Sequence, residues 1–267
     1  MNEGDWIPPW RRWWLFLLSA LVLIFLVVPV LIVIPVSFSA STLLEFPPRA
    51  WSLRWYEGFF GSVEWRDAAW MSTKVAVLTT LVATPAGIAA AYGLHLGGFR
   101  WGNALRLAIL APLLVPTILT AVGIFYLYAK TGLNNTLVGT VIAHAMLSMP
   151  FVVVSVGAGL RSYDMAQERV ARSLGATWFR AFWSITLPQI RLPVASGALL
   201  AFLSSFDEVI VSFFITGGEM ATLPRRMFNA LRDQIDPTIA AISTILVVLS
   251  VLTVAMLELL RPRAPKG

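Results

Sequence analysis

The sequence contains no cysteine and few charged residues. Among its 267 residues, Asp, Glu, Lys and Arg together make up 13%, which is about half their share in an average soluble domain. Without cysteine the chain can form neither a disulfide bond nor a thiolate metal site. A soluble protein of this size needs a more highly charged surface to stay dispersed. These shortages exclude a soluble enzyme, a secreted disulfide-bonded scaffold and a disordered protein.

Apolar residues are abundant instead, and they are grouped in long segments. The hydrophobic fraction is 58% and the mean hydropathy is +0.77. A helix needs about 20 mainly apolar residues to cross the hydrocarbon core of a bilayer. The pattern therefore predicts an all-α integral membrane protein whose single transmembrane domain covers residues 13–257. The six predicted spans are approximately 13–36, 75–96, 107–128, 136–160, 194–217 and 238–257.

Basic residues lie mainly on one side of these spans. If residues 1–12 are cytoplasmic, the segments on the cytoplasmic side hold more than half of the 20 Lys and Arg. Such an excess is typical of cytoplasmic loops. We therefore expect both the N-terminal segment and the tail 258–267 to face the cytoplasm. The net charge of +6 then reflects membrane topology and does not indicate nucleic-acid binding.

Proline is concentrated in the spans, and the third span carries a closely spaced pair. Pro112 and Pro116 lie four residues apart. Each proline removes a backbone donor and disfavours the helix before it. The pair predicts a kink or break in the span. Packing geometry would explain such a bend, and so would a bend that lines a substrate pathway.

The longest predicted cytoplasmic loop, residues 161–193, has the pattern of two short helices. Asp164 can cap the first helix, and Gly175 is typical of the residue that follows a helix end. Thr177 can cap a second helix, which Pro188 is expected to end. A helical hairpin of this kind is suited to docking in a groove on a soluble partner.

This loop resembles the EAA loop of permease subunits in binding-protein-dependent ABC importers. The consensus of that loop is Glu-Ala-Ala, three residues, Gly, nine residues, Ile, one residue, Leu-Pro. The second part of the consensus is present at the required spacing, as Gly175, Ile185, Leu187 and Pro188. The Glu-Ala-Ala positions are occupied by Arg169, Val170 and Ala171, and Glu168 lies one residue early.

The resemblance implies that the loop binds an ATPase subunit and transmits its closure. The residues it assigns to this coupling are Glu168, Arg169, Ala171, Gly175, Ile185, Leu187 and Pro188. One residue corresponds to about 100° around a helix. Glu168 therefore need not make the contact that is usual in the family.

Other segments narrow the resemblance. The run SSFDEVIVSFFITG at 204–217, the Thr-Leu-Pro at 222–224 and the Leu-Arg-Trp-Tyr at 53–56 resemble the second permease subunit of spermidine/putrescine importers. The resemblance implies the type I ABC importer permease fold, with six transmembrane helices and a cytoplasmic coupling helix. It also implies transport of a polyamine across the bacterial inner membrane. Relatives with these motifs carry other small organic solutes, so another amine, an amino-acid derivative or an opine remains an alternative.

Two adjacent acids, Asp207 and Glu208, lie within the fifth predicted span. A charge at the centre of a span costs about 2.5–3.5 kcal/mol on insertion scales. Carboxylates and aromatic faces suit a flexible polycation, and the resemblance assigns the paired acids and Trp55 to polyamine uptake. The alternative is that the acids pair with a basic residue or cap a broken helix. Thr117 stands where polyamine permeases tend to carry another acid.

The resemblance also implies the partners of the chain. They are a second homologous permease, two ATPase subunits, a periplasmic or extracellular substrate-binding protein and membrane lipid. No Gly-rich GK[ST] loop is present, so ATP and Mg²⁺ are expected on the ATPases and this chain is expected to bind no cofactor. No catalytic cluster indicates an enzyme. A channel or ion-coupled transporter would also have buried acids, but it has no need of the hairpin.

The two histidines complete the candidates. His95 and His144 lie in different predicted spans, with no acidic or cysteine cluster near them in sequence. No metal site is therefore predicted. Hydrogen-bonded helix packing accounts for residues of this type in spans.

Overall fold

The computed structural model describes residues 13–97, 100–233 and 236–259, with side chains described as far as Leu252. All helices and strands assigned within these ranges are helices, in agreement with the predicted all-α class. The predicted cytoplasmic segment 1–12 and tail residues 260–267 lie outside the described residues.

The helices of the described ranges are connected by short turns. They are α1 (Trp13–Ser37), α2 (Arg54–Gly61), α3 (Val63–Leu96), α4 (Gly102–Leu114), α5 (Thr117–Thr131), α6 (Leu137–Ser162), α7 (Ala166–Ser173), α8 (Trp178–Ala181), α9 (Leu187–Gln189), α10 (Arg191–Phe206), α11 (Ile210–Ile215), α12 (Leu223–Asp233) and α13 (Thr238–Leu259). A π-helical turn, Phe182–Thr186, joins α8 to α9, and Gly218–Met220 form a 3₁₀ turn.

The chain divides into two compact units. The first comprises residues 1–63 and 229–267, and the second comprises residues 64–228. In the first unit α13 packs on α1 and α2. The side chains of α1 are exposed from Trp13 to Leu31, and the helix is apolar on all sides. A helix of this kind is stable in contact with lipid.

The second unit is built around α6. This helix packs on α10, α4 and α11, and α11 also packs on α5. Small and β-branched residues fill the contact of α3, α6 and α10, with Ala83, Val152, Val156 and Ala201 each 1% exposed or less. Helices approach closely at such side chains, as is typical of packing within a bilayer.

Three helices in the described ranges, α1, α3 and α6, are each long and apolar enough to cross a membrane. Two bent pairs of helices pass the same test when each pair is taken as one span: α4 with α5, and Trp178–Gln189 with α10. The described side chains of α13 form a shorter apolar stretch, Thr238–Leu252. The six-span arrangement and its orientation remain predictions.

The predicted break in the third span is confirmed, and it falls at the second of the two prolines. α4 passes through Pro112 and ends at Leu114. Val115 then has φ −83° and ψ 134°, the extended conformation that a residue before proline prefers. α5 begins after Pro116, and its axis turns from that of α4 by 102°.

The segment predicted as the fifth span is also interrupted. α10 ends at Phe206, and α11 begins at Ile210. Asp207 and Glu208 therefore lie in a short non-helical segment rather than within a continuous helix. This break has no proline or glycine to announce it in the sequence.

The two-helix pattern of loop 161–193 is present, with one correction. Gly175 has φ +94°, as expected for a left-handed residue after α7. The prediction that Pro188 ends the second helix is wrong, because α9 contains Pro188 and runs to Gln189. The π-helical turn precedes it, and in this turn the amide of Leu187 donates to the carbonyl oxygen of Phe182. The wider turn places Pro188 in the helix without requiring its missing amide hydrogen.

Gly87 provides a test of the close contact between α3 and α6. A Cβ atom at this position would lie 2.6 Å from Cβ of Val152, a β-branched residue with little rotamer freedom. Gly87→Ala should destabilise the fold by about 1–3 kcal/mol, the usual cost of overpacking. A lower midpoint of thermal unfolding of the purified chain in detergent is the expected result. Gly93→Ala is the matched control, because the same helix has no atom within 4 Å of a Cβ there. Equal midpoints for the two variants would contradict the packing.

Candidate functional site

A cavity of about 310 Å³ lies where the two helix breaks of the second unit meet. Its lining residues come from the α4–α5 break, from α6 and from the α10–α11 break: Pro112, Leu113, Thr117, Leu147, Phe151, Ser204, Asp207, Glu208, Val209 and Ile210. The wall is mainly apolar, with two carboxylates and two hydroxyls. Concave sites with a few polar groups on apolar walls are typical of small-molecule sites.

Asp207 presents a free carboxylate to this cavity. The residue directly follows the last turn of α10, and its amide donates to the carbonyl oxygen of Leu203 at 3.0 Å. Its side chain is exposed. Within the described part of the chain, no residue donates a hydrogen bond to its carboxylate or forms an ion pair with it. The carboxylate is therefore available to a cationic ligand.

Glu208 has a different environment, because its carboxylate caps α11. One oxygen accepts the amide of Val211 at 2.8 Å, and the other accepts the amide of Ser212 at 2.9 Å. The side chain is only 9% exposed. The first amides of a helix have no partners within the helix, and in an apolar environment they must be satisfied by other groups. Capping a broken helix is one of the two alternatives that the sequence left open for these acids.

The hairpin of α7 to α9 presents a row of exposed apolar side chains. Leu174 is 83% exposed, Phe179 63%, Trp183 53% and Trp178 48%. Such a patch on a short polar hairpin is typical of an interaction surface. The cap predicted for its second helix is present, since Thr177 Oγ1 accepts the amide of Arg180 at 3.3 Å. Asp164 accepts the amide of Ala166 at 2.8 Å at the start of α7.

Glu168 lies beneath this surface and is only 1% exposed. The hydroxyl of Tyr92, on α3, donates to its Oε1 at 2.6 Å. The hydroxyl of Thr186, in the π-helical turn, donates to its Oε2. A buried carboxylate is stable only when its oxygens are hydrogen-bonded. Glu168 therefore joins both helices of the hairpin to α3.

Trp55 belongs to the first unit, and its polar and aromatic groups are engaged locally. Its Nε1 donates to the carbonyl oxygen of Ser39 at 2.8 Å. The guanidinium of Arg54 lies 4.4 Å from the centre of its ring. Asp207 and Glu208 belong to the second unit, together with every residue assigned to the hairpin.

Comparison with known proteins assigns the chain to a family. Residues 83–266 match the model of the family described as "Binding-protein-dependent transport system inner membrane component". The chain belongs to this family of importer permeases. The match includes both the hairpin and the α10–α11 break.

Curated relatives resemble the permease over most of its length. It is 30% identical to the putrescine transport system permease protein PotI of Escherichia coli K12, over 90% of this chain and 88% of that protein. It is 29% identical to the spermidine/putrescine permease PotC of the same strain, over 91% of this chain and 92% of that protein. The molybdenum transport permease ModB of Mycobacterium bovis is also 29% identical, over 78% and 81% of the two chains.

A solved structure shares the fold of the permease. It is the crystal structure of a bacterial ABC transporter involved in the import of the acidic polysaccharide alginate. The superposition has a TM-score of 0.69 with 15% sequence identity, and it covers 96% of this chain and 97% of the other. At this identity the likeness shows the fold of an ABC importer permease.

The permease places its predicted coupling residues at different depths in the hairpin. Arg169, Gly175 and Pro188 are exposed. Ala171, Ile185 and Leu187 are half-buried. Glu168 is buried and bonded internally, so its carboxylate lies below the hairpin surface. Roles for these residues in ATPase coupling, and for Asp207, Glu208 and Trp55 in the substrate pathway, remain predictions.

Three residues of this permease escaped the sequence reasoning. Tyr92 and Thr186 bind Glu168, and they lie 76 and 18 residues away from it. Neither was marked by a local pattern. His144 lies in α6 and bonds to residues on both sides of the Asp207 break. Its isolation as a histidine in an apolar span was the one available signal.

Replacement of Glu168 should loosen the hairpin. Glu168→Ala removes both acceptors and leaves the hydroxyls of Tyr92 and Thr186 buried without them, at a cost of about 1–3 kcal/mol for an unsatisfied group. Amides of residues 166–189 should then exchange with deuterium about tenfold faster or more. Hydrogen exchange with mass spectrometry on the purified complex measures this rate. Arg169→Ala is the matched control, because that neighbouring side chain is exposed. Unchanged exchange in Glu168→Ala would show that the buried bonds do not hold the hairpin.

Proposed function

We propose that the permease carries polyamines such as putrescine or spermidine, and that the Asp207 carboxylate binds an ammonium group of the solute during its passage. The observation that carries the proposal is an unpaired carboxylate at a helix break, facing a cavity. The similarity to polyamine permeases over about nine-tenths of the chain supports the same solute class.

The cavity suits an aliphatic amine for two reasons. Its wall contains apolar side chains such as Leu147, Phe151 and Ile210, which can contact a methylene chain. The hydroxyls of Thr117 and Ser204 add acceptors for ammonium hydrogens. A single free carboxylate holds a cation weakly enough to release it, as conduction along a pathway requires.

An amine with fewer charges is a second candidate for the solute. Glu208 is occupied as a helix cap, and Thr117 replaces an acid on the opposite wall. One free carboxylate would suffice for a monoamine, a zwitterionic amino-acid derivative or an opine. The molybdenum permease among the relatives illustrates that proteins of similar sequence serve other solutes.

The hairpin is the proposed ATPase dock. In the proposed topology it lies on the cytoplasmic face of the inner membrane, and both termini lie on the same side. Its exposed Leu174, Phe179 and Trp183 offer an apolar surface that would be buried in a groove on an ATPase subunit. A homologous second permease would present its own hairpin to a second ATPase.

Transport would follow from movement of this hairpin. ATP and Mg²⁺ bind to the ATPase partners, whose closure displaces the hairpins. The hydrogen bonds of Glu168 to Tyr92 and Thr186 then pass the displacement to α3. The permease pair opens toward the external binding protein, and Asp207 becomes accessible to the released solute. ATP hydrolysis returns the pair to its inward-open state.

Asp207→Asn tests the solute-binding role. Loss of a charge-assisted hydrogen bond worth about 1.5–3 kcal/mol should raise the KM for putrescine uptake about tenfold or more. The measurement is uptake of labelled putrescine and spermidine by proteoliposomes that contain the complete importer and its binding protein. Asp207→Glu should retain most of the affinity. Ser204→Ala, on the same cavity wall, should change KM little. An unchanged uptake curve for Asp207→Asn with an assembled complex would overturn the role.

Gly175→Val tests the coupling role of the hairpin. The left-handed φ of +94° at this position is disfavoured for a β-branched residue. We expect loss of ATPase stimulation by loaded binding protein, and loss of uptake, with the chain still inserted in the membrane. Gly175→Asn is the matched control, since asparagine tolerates the left-handed conformation. Normal stimulation in Gly175→Val would contradict the docking model.

A further inference from the structure

We infer that His144 is the positioning residue that holds the Asp207 break in shape. The inference rests on the proposal that Asp207 faces the solute pathway, and it concerns what keeps that carboxylate there. His144 lies in α6 and is fully buried. It is not among the residues that line the cavity, so it acts through the break rather than on the solute.

The histidine ring bridges the two half-helices. Its Nδ1 lies 3.1 Å from the carbonyl oxygen of Ser205 and 2.9 Å from the hydroxyl oxygen of the same residue, in the last turn of α10. Its Nε2 lies 3.0 Å from the hydroxyl oxygen of Ser212, near the start of α11. The side chains of Ser205 and Ser212 are buried as well.

The partners determine which ring nitrogen carries the hydrogen. A carbonyl oxygen can only accept a hydrogen bond, so we assign the hydrogen to Nδ1, which donates to Ser205. Nε2 then accepts from the hydroxyl of Ser212. Each end of the ring thus has a defined partner, and the two half-helices are tied to α6 at a fixed separation.

The remaining ends of α11 are held by other groups. Glu208 accepts its first amides. At its far end the carbonyl oxygen of Ile215 accepts the amide of Asn135 at 2.7 Å. Arg225 donates to the carbonyl oxygen of Ser212 and to the hydroxyl of Thr216, each at 3.2 Å. Burial lowers the pKa of this guanidinium, but an arginine stays charged at neutral pH.

A helix of six residues is far too short to form alone. Its place therefore depends on these tertiary bonds, and His144 makes the one that links it to α10. Asp207 lies between the two bonded serines, two residues after Ser205 and five before Ser212. Removal of the imidazole frees both ends of the segment that carries the carboxylate.

The absence of native cysteine allows the position of the break to be measured directly. Asp207→Cys introduces the sole thiol on this chain, and its rate of reaction with N-ethylmaleimide reports the exposure of the position. The rate is measured on the purified complex in detergent, from the mass shift of this subunit. No solute is needed.

His144→Leu keeps an apolar side chain of similar size and removes both hydrogen bonds. We expect the labelling rate at Asp207→Cys to change about fivefold or more in this background, as is typical for residues coupled through direct contacts. His144→Asn, which keeps a donor near Ser205, should restore part of the original rate. Thr117→Cys is the matched control, because it lines the same cavity on α5, to which the histidine makes no printed hydrogen bond.

Ser212→Ala gives a second, milder test if His144→Leu does not assemble. It removes only the Nε2 partner and should shift labelling at Asp207→Cys in the same direction. An unchanged rate in His144→Leu, or in Ser212→Ala where His144→Leu does not assemble, would overturn the inference. Equal changes at Asp207→Cys and Thr117→Cys would overturn it too, because they would indicate general loosening. A selective change at position 207, combined with unchanged uptake in Asp207→Asn, would support the positioning role while rejecting the proposed function.

Discussion

Within an apolar bilayer no water is available to an unpaired backbone group, so every break in a helix must be satisfied by the protein itself. The breaks around the cavity show how this permease meets that requirement. At Val115–Pro116 the proline has no amide hydrogen to satisfy. At Asp207–Val209 the exposed amides are accepted by Glu208, and a carbonyl oxygen at the end of α10 accepts from His144. Asp207 is left over from this arrangement, and its carboxylate is the one that faces the cavity without a partner.

The same rule applies to the hairpin. Glu168 is buried, and each of its carboxylate oxygens accepts a hydroxyl. The hairpin can therefore offer an apolar surface to a partner while its own polar group is satisfied beneath that surface. Tyr92 connects this group to α3, and its ring packs on Phe182 at 4.8 Å between centroids. A displacement of the hairpin is passed to α3 through bonded and packed groups rather than through a flexible linker.

Sequence patterns located several of these features. The apolar segments predicted an all-α membrane protein, and the motifs around Gly175 and at residues 204–217 identified its family, which the comparisons confirm. The proline pair predicted the α4–α5 break, and Gly175 predicted the left-handed residue of the hairpin. The continuation of α9 through Pro188 was not predictable, because it depends on the π-helical turn before it. The break at Asp207 was not marked either, since the acids there could equally have lain on a continuous helix with a wet face.

The sequence by itself determined the class of the protein, its abundance of spans and the identity of the acids that could matter, because hydropathy, proline and glycine act locally along the chain. Tertiary structure decided what each acid does. Glu168, Asp207 and Glu208 are carboxylates of similar chemistry, yet one is buried beneath the hairpin, one is free in a cavity and one caps a helix. Their partners lie as far as 76 residues away in sequence, and a hydrogen bond across such a separation exists only once α3, α6 and α10 have packed.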